Sequence, residues 1–397
     1  MKESEFYEGL LSLSEIKIDS VKMRDKKIEI YCHTKSETQT CKTCGQSVSS
    51  VNQYTTRTVR DLDIVGKEVW LIITVRQMYC AVCNQYFTEP LGFDDSGKSY
   101  TQRQSKWVFE LCSQQPFSEV GALINMSPKT VENTYFFYAS SRLNIKERFK
   151  NVKRLGIDEI SHRKGKKDFC CVLTDLDRGI ELDILPTRKK EDIIAYFKEL
   201  GTQICHQIQV VACDIWEPYI SLAKQCFPNA MVTLDRFHVV KLLNDGLDTF
   251  RKTLRKASPK TDEYKKLKWV LFKQPKNCTK DEIVVLNNAF SMSSELKFIY
   301  ELRNDFNQIY NTSTDILEMT TRIDRWLSNA KKSGQNCLLP FIKTLQNRKN
   351  DIASFAKTHV TNAATEGLNN LIRHIKRLSF GLPNFQHMRI RVLMNSY

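Results

Sequence analysis

IQVVACDIWEPYISLAKQCFPNAMVTLDRFHVV, residues 208–240, sets two short apolar runs on either side of a helical segment. Residues 208–212 are apolar and largely β-branched, which suits a strand buried on both faces, and the run gives way to Asp214, where a polar side chain emerges at the end of a sheet. From Glu217 the spacing of Tyr219, Leu222, Ala223 and Cys226 is helical. Pro228 and Asn229 break that helix, and a second strand over 231–234 again runs into an acid, Asp235. Two strand ends therefore deliver two carboxylates. One Asp after a strand is more often a turn former or helix cap, so the pair takes its meaning from what surrounds it.

Upstream, residues 153–160 (KRLGIDEI) form a strand with Asp158 near its end, 168–175 (DFCCVLTD) a second, and 180–185 a third after an Asp177-Arg178-Gly179 turn. A helix over 189–200 carries Ile193, Ile194, Phe197 and Leu200 on one face. The order strand, strand, strand, helix, strand, helix, strand is the ribonuclease H-like plan, in which strands one and four are neighbours, so Asp158 is expected beside Asp214. Adjacent carboxylates on rigid strands suit Mg²⁺ or Mn²⁺, because hard cations take oxygen ligands and like charges so close need a cation between them. The expected chemistry is in-line displacement at a phosphodiester, with a third acid from elsewhere in the chain.

The whole chain has 397 residues, 60 Lys and Arg against 45 Asp and Glu, and a formal charge of +15, a surplus that favours nucleic acid as partner. No apolar run is long enough for a bilayer and the polar start MKESEFYEG is unlike a signal peptide, so a soluble, cytoplasmic, nucleoid-associated protein without a membrane partner is expected. Thirteen cysteines, most of them single residues in apolar segments, suit reduced thiols. Cys41-Lys-Thr-Cys44 and Cys80-Ala-Val-Cys83 are different: two knuckles of two thiolates complete the tetrahedral shell of a structural Zn²⁺. The 35 residues between them read as a hairpin, 57–65 and 68–79 around Gly66-Lys67, that brings the knuckles together at its open end. Neither C-x-x-C has the βαβ context of a redox motif. Cys32 and His33 lie near enough to substitute as ligands but read as strand residues.

Residues 93–100 are a polar connector, and 116–135 (PFSEVGALINMSPKTVENTY) match a helix-turn-helix. Ser118 is expected to cap the first helix; Ser127 and Pro128 open the second, with Lys129, Thr130 and Asn133 outward for the major groove. Beyond Val239 the pattern is helical almost to Thr361. Glu366 then heads a helix on which Asn370, Arg373 and Arg377 share its face. Trp216, Trp269 and Trp326 are candidates for stacking on unpaired bases, and Lys164–Lys167 for touching DNA backbone.

Taken together, the C-x-x-C pairs, the helix-turn-helix, GIDEIS at 156–161, CDIWEPY at 213–219, LDRFHVV at 234–240 and TNAATEGLNNLIRHIKRLSFG at 361–381 resemble the ISL-three family of bacterial insertion-sequence transposases, over nearly the whole chain. The resemblance implies a DDE triad of Asp158, Asp214 and Glu366, with Asp235 and His238 as an Asp-x-x-His signature supporting it. The 151 residues between Asp214 and Glu366 are then a helical insertion, and Arg373, Lys376 and Arg377 hold phosphates near the ions.

The expected fold is α+β and multidomain. A zinc-binding module occupies 1–95, a helix-turn-helix 96–150, a ribonuclease H-like core 151–240, an all-helical insertion 241–360 and the final core helix 361–397. The expected function is metal-dependent cleavage and strand transfer at the terminal inverted repeats of an insertion sequence, by a homodimer or larger assembly. The alternatives are a non-catalytic DNA-binding regulator of the same descent and a nuclease or resolvase that cuts without joining.

Overall fold

A computed structural model describes residues 3–94, 98–163, 168–257, 261–379 and 382–395, and the chain divides into two compact units, Met1–Leu143 and Asn144–Tyr397.

The first unit is built on two long antiparallel strands, Val51–Ile64 and Lys67–Cys80. Along the second, Val69, Leu71, Ile73 and Val75 are wholly buried, the period-two pattern of a sheet with one packed face. The hairpin turn falls one residue earlier than the sequence suggests. Val65 and Gly66 take φ of 50° and 72°, and Lys67 already pairs with Ile64. Two successive positive-φ residues give the tight turn whose twist matches that of the strands, at the cost of placing a β-branched valine there. Two further strands extend the sheet: Ile16–Met23, which the sequence reading missed, and Lys27–Thr34, which holds the expected strand residues Cys32 and His33 and runs parallel to Lys67–Cys80. Cys32 is buried in that core, and His33 pairs with Asp19 at 2.9 Å, so both are occupied away from the knuckles.

Three helices follow in the same unit: Gln102–Cys112, Phe117–Leu123 and Pro128–Arg142. The Ser127 hydroxyl accepts the Thr130 N–H at 3.1 Å and Pro128 fills the first helical position, where no N–H is needed. Ser118 is not a cap: Pro116 holds that place without a side-chain bond, and Leu123 faces solvent. What fixes the helix pair is ionic. Arg60, almost wholly buried on the long strand, donates to the carbonyls of Ile124 at 2.7 Å and Asn125 at 3.2 Å, and Arg103 closes on the fully buried Asp61. Charge-assisted bonds thus tie the turn between the helices to the sheet.

The second unit holds a five-stranded sheet in the order Ile180–Leu185, Asp168–Asp175, Arg154–Arg163, Val210–Cys213, Met231–Leu234. The first three strands are antiparallel; the last two run parallel to Arg154–Arg163 and to one another. Helices Lys190–Leu200 and Glu217–Cys226 pack Ile193, Phe197, Tyr219 and Leu222 against the sheet. A long run of helices follows, from Arg236–Ala257 to Leu339–Ala353, around Phe306, Trp326 and Phe341. Thr279 and Glu282 form a capping box in both directions at the start of Lys280–Met292. The helical run begins at Arg236, ahead of the Val239 beyond which the pattern turns helical, which puts Phe237 and His238 on its opening turn, and Leu339–Ala353 is kinked at Arg348 before a short helix restarts at Phe355.

Candidate active site

Strand register places three acids on one level. Ile157 pairs with Cys213 and Cys213 with Leu234, so Asp158, Asp214 and Asp235 are the next residue of three adjacent parallel strands. The Asp235 N–H donates to the Cys213 carbonyl at 2.9 Å, which carries the ladder as far as the acids. Val210–Cys213 and Met231–Leu234 end here, because a carboxylate is far cheaper at the sheet's edge than within it, whereas Asp158 sits mid-strand, paired with Val172, and Arg154–Arg163 runs on past it.

The fourth wall is the helix Ala363–Leu378, strapped to the strand Arg154–Arg163 at three points seven residues apart. Asn362 Nδ2 donates to the Ile157 carbonyl at 3.3 Å, Asn369 Nδ2 to Asp158 Oδ2 at 2.8 Å, and Lys376 Nζ to the carbonyls of Ser161 and His162 at 3.0 and 2.6 Å. The Asn362 N–H also donates to Asp235 Oδ1 at 3.2 Å. Glu366, in the first turn, is exposed and lines one cleft of about 1050 Å³ together with Asp158, Asp214, Asp235 and His238.

Within that cleft the described residues form one tight ligand cluster, and it is not the triad expected from the sequence. Asp214, Asp235 and His238 each bring one ligand atom within 4.8 Å of the others, with His238 Nδ1 paired to Asp214; Asp158 and Glu366 stand outside that limit. The charge is unbalanced. Burial and then the Asp214 charge push the Asp158 carboxyl up to about 6, burial raises Asp235 despite the Asn362 N–H, and the bond to Asp214 raises His238. Buried and half-buried acids this close to one another disfavour full ionisation, as clustered carboxylates do.

In the first unit Cys41, Cys44, Cys80 and Cys83 gather with Cys41–Cys83 and Cys44–Cys80 sulfur separations of 3.9 and 3.6 Å. Sulfurs at the corners of a tetrahedron around zinc stand about 3.8 Å apart, from a Zn–S bond of about 2.3 Å. Each knuckle turns through a positive-φ residue, Gly45 and Asn84. The N–H groups of Cys44 and Thr43 lower the Cys41 thiol to about 6. The same neighbourhood raises Cys83, through the Cys44 side chain first, to about 12.

Residues 155–392 match a family model described as "Transposase", that of ISL3, and residues 37–83 match the zinc-finger of transposases IS204, IS1001, IS1096 and IS1165. The chain belongs to the ISL3 family of transposases. It is 24% identical to the transposase of IS1001 from Bordetella parapertussis over 92% of this chain and 90% of that protein. Identity to the IS1557 transposase of Mycobacterium tuberculosis is also 24%, over 87% of this chain and 83% of that one. The Drosophila P element transposase in its strand transfer complex superposes with a TM-score of 0.39 at 10% identity, covering 75% of this chain and 91% of that one. The protein is accordingly a DNA transposase whose four knuckle cysteines form a structural zinc site.

The other residues singled out in the transposase sequence are distributed as follows. Lys129 and Asn133 are exposed on the helix Pro128–Arg142, and Thr130 is half-buried; Lys129 pairs with Glu132 at 2.8 Å. Arg373 lines the cleft and Arg377 is exposed, whereas Lys376 is spent on the two strand carbonyls. Trp326 is core, its Nε1 donating to the Leu302 carbonyl at 2.8 Å, and Trp216 packs edge-on against Tyr219 beneath Arg188. Lys164–Lys167 lie outside the described residues. No described helix is long and apolar enough to cross a membrane. Sequence reasoning missed Asn362 and Asn369, although their spacing of seven, continued by Lys376, marks one helix face.

Two consequences can be measured. A Cβ on Gly156 would come 2.8 Å from Leu176 Cδ2, 2.9 Å from Thr365 Oγ1 and 3.1 Å from Asn362 Oδ1, so Gly156→Ala forces these side chains to shift, among them the Asn362 strap. It should cost about 1–3 kcal/mol in thermal unfolding and about a hundredfold in strand cleavage, with binding to end DNA unchanged. The raised Asp158 carboxyl contributes stability below its unfolded value near 4, a contribution lost as pH rises through about 6. Asp158→Asn in zinc-loaded, magnesium-free protein should therefore raise the unfolding free energy at pH 7, by an amount on the order of 2 kcal/mol, and with it the melting temperature, and leave both little changed near pH 4. Calorimetry at the two pH values checks the sign.

Proposed function

We propose that the second unit is a ribonuclease H-like core interrupted by a helical insertion, and that Asp158, Asp214 and Glu366 are its DDE triad, acting on the terminal inverted repeats of an insertion sequence. The observation that carries this reading is the convergence on one cleft of Asp158, Asp214 and Asp235, level with one another on three adjacent strands, and of Glu366. The strand order supports the fold assignment, since strand one lies between strands two and four as that plan requires.

The donor set suits hard divalent cations: it is all carboxylate oxygen apart from one imidazole, and burial, with the neighbouring Asp214 charge, raises its Asp158 and Asp235 carboxyls. Mg²⁺ or Mn²⁺ held by the triad would supply Lewis-acid stabilisation to the attacking and leaving oxygens of an in-line displacement. The chain's own groups do the positioning. Asn369 orients the Asp158 carboxylate, His238 orients Asp214, Asp235 anchors the Asn362 N–H, and Arg373 reaches a phosphate beside the scissile one. Water attacks the phosphodiester at the element's end and frees a 3′-hydroxyl, which then attacks target DNA at the same site. Lys129, Thr130 and Asn133 read the repeat in the major groove, and Arg373 and Arg377 hold backbone. Because two ends must be joined, the working form is a homodimer or larger, associated with the nucleoid.

The test is an end-DNA duplex with Mg²⁺. Cut and joined products are expected from the natural chain, and binding without either product from Asp214→Asn. A regulator would bind equally in both forms and cut in neither; a nuclease or resolvase would cut without joining.

A further inference from the structure

Resting on that reading of the cleft, we propose that Trp269 and Phe237 bind an unpaired base of the DNA strand being cut. Trp269 is 69% exposed and Phe237 57% exposed, and both line the cleft that holds the acids. Neither is a core residue turned outward by accident of a helix end. In Thr261–Phe272 the inward positions are taken by Tyr264, Leu267 and Leu271, all buried, and Trp269 sits on the opposite side. In Arg236–Ala257 the inward positions are Val239, Leu243 and Leu247, and Phe237 points away from them, beside His238 with ring centroids 5.4 Å apart.

Large aromatic faces left in water are unfavourable unless something covers them part of the time. The occupant is set by its neighbours. The cleft, at about 1050 Å³, exceeds what ions and one phosphate fill and is in the range that takes a nucleotide-sized ligand. Lys268 lies over the Trp269 ring at 4.8 Å and Arg373 lines the same cleft, so an aromatic surface and cationic groups adjoin carboxylates that need a cation. That combination fits a single strand whose phosphate is at the acids and whose base stacks on the rings. Such stacking tolerates any base, since each has a π-face. A base displaced from a duplex loses stacking and pairing, and the aromatic pair offsets part of that loss where the strand has to open.

The test uses full-length protein, with Ca²⁺ replacing Mg²⁺ so that nothing is cut, and two labelled strands of equal length: a mixed-sequence single strand and the same strand made abasic at its centre. The natural chain should bind the base-bearing strand about ten- to hundredfold more tightly. Trp269→Ala should remove most of that preference while leaving affinity for the abasic strand unchanged, Phe237→Ala should reduce it, and Trp269→Phe should restore it. Equal affinity for the two strands, no binding to either, or a preference that survives Trp269→Ala overturns the proposal. Asp214→Asn separates the two claims: it should keep the preference, and if it still cuts end DNA with Mg²⁺ then the assignment of the acids fails whatever the stacking result.

Discussion

Glu366→Gln should lower end cleavage and strand transfer by about a thousandfold or more, with end-DNA affinity and melting temperature little changed. The substitution keeps the shape of the side chain and removes one negative charge from the cleft. Glu366 is exposed in the first turn of Ala363–Leu378, so the cost to folding is limited to a lost acid at a helix N-terminus, about 0.3–1 kcal/mol. The straps through Asn362, Asn369 and Lys376 remain. A variant that folds, binds and keeps more than about a tenth of its activity would remove Glu366 from the chemistry and leave Asp235 as the third acid, since Asp235 stands in the tighter cluster.

Loss of zinc should be the largest effect on stability. Cys80→Ser removes a buried ligand from a site whose four sulfurs already stand near the spacing of a zinc tetrahedron. Structural zinc contributes about 10–16 kcal/mol of apparent binding free energy in small zinc domains, more than a small module has in reserve. The variant should hold no zinc where the natural chain holds one, and residues 37–88 should become sensitive to protease. Specific end binding should fall at least tenfold, because the helix-turn-helix is tied to this sheet through Arg60, Asp61 and Arg103. The second unit should keep its own unfolding transition. Full zinc content together with normal DNA binding would contradict this account of the knuckles.

Much of this was legible along the chain because the deciding signals are local. Apolar β-branched runs ending at Asp158, Asp214 and Asp235 need only a short window to be seen, as do the C-x-x-C pairs and the Ser127-Pro128 cap. What escaped the sequence was pairwise and distant. Whether Trp216, Trp269 or Trp326 is free depends on what packs against it, and helical spacing does not separate Trp269 from Trp326. Lys376 reads as one more cation beside Arg377 until the Ser161 and His162 carbonyls come within its reach. Asn362 and Asn369 carry no charge and lie in a run of polar residues, so their bonds to Ile157 and Asp158 are visible only once strand and helix are side by side. The strand Ile16–Met23 and the start of Lys27–Thr34 are hard to read because charged residues fall between short apolar positions, and only Cys32 and His33 stand out there as strand residues.

The most direct trial of the central claim is anomalous diffraction from crystals of the transposase grown with Mn²⁺ and a cleaved end duplex. The account predicts manganese between Asp158 and Asp214, with a Glu366 carboxylate oxygen completing the coordination. Manganese held instead by Asp214, Asp235 and His238, with Asp158 and Glu366 both out of coordination range, would contradict it.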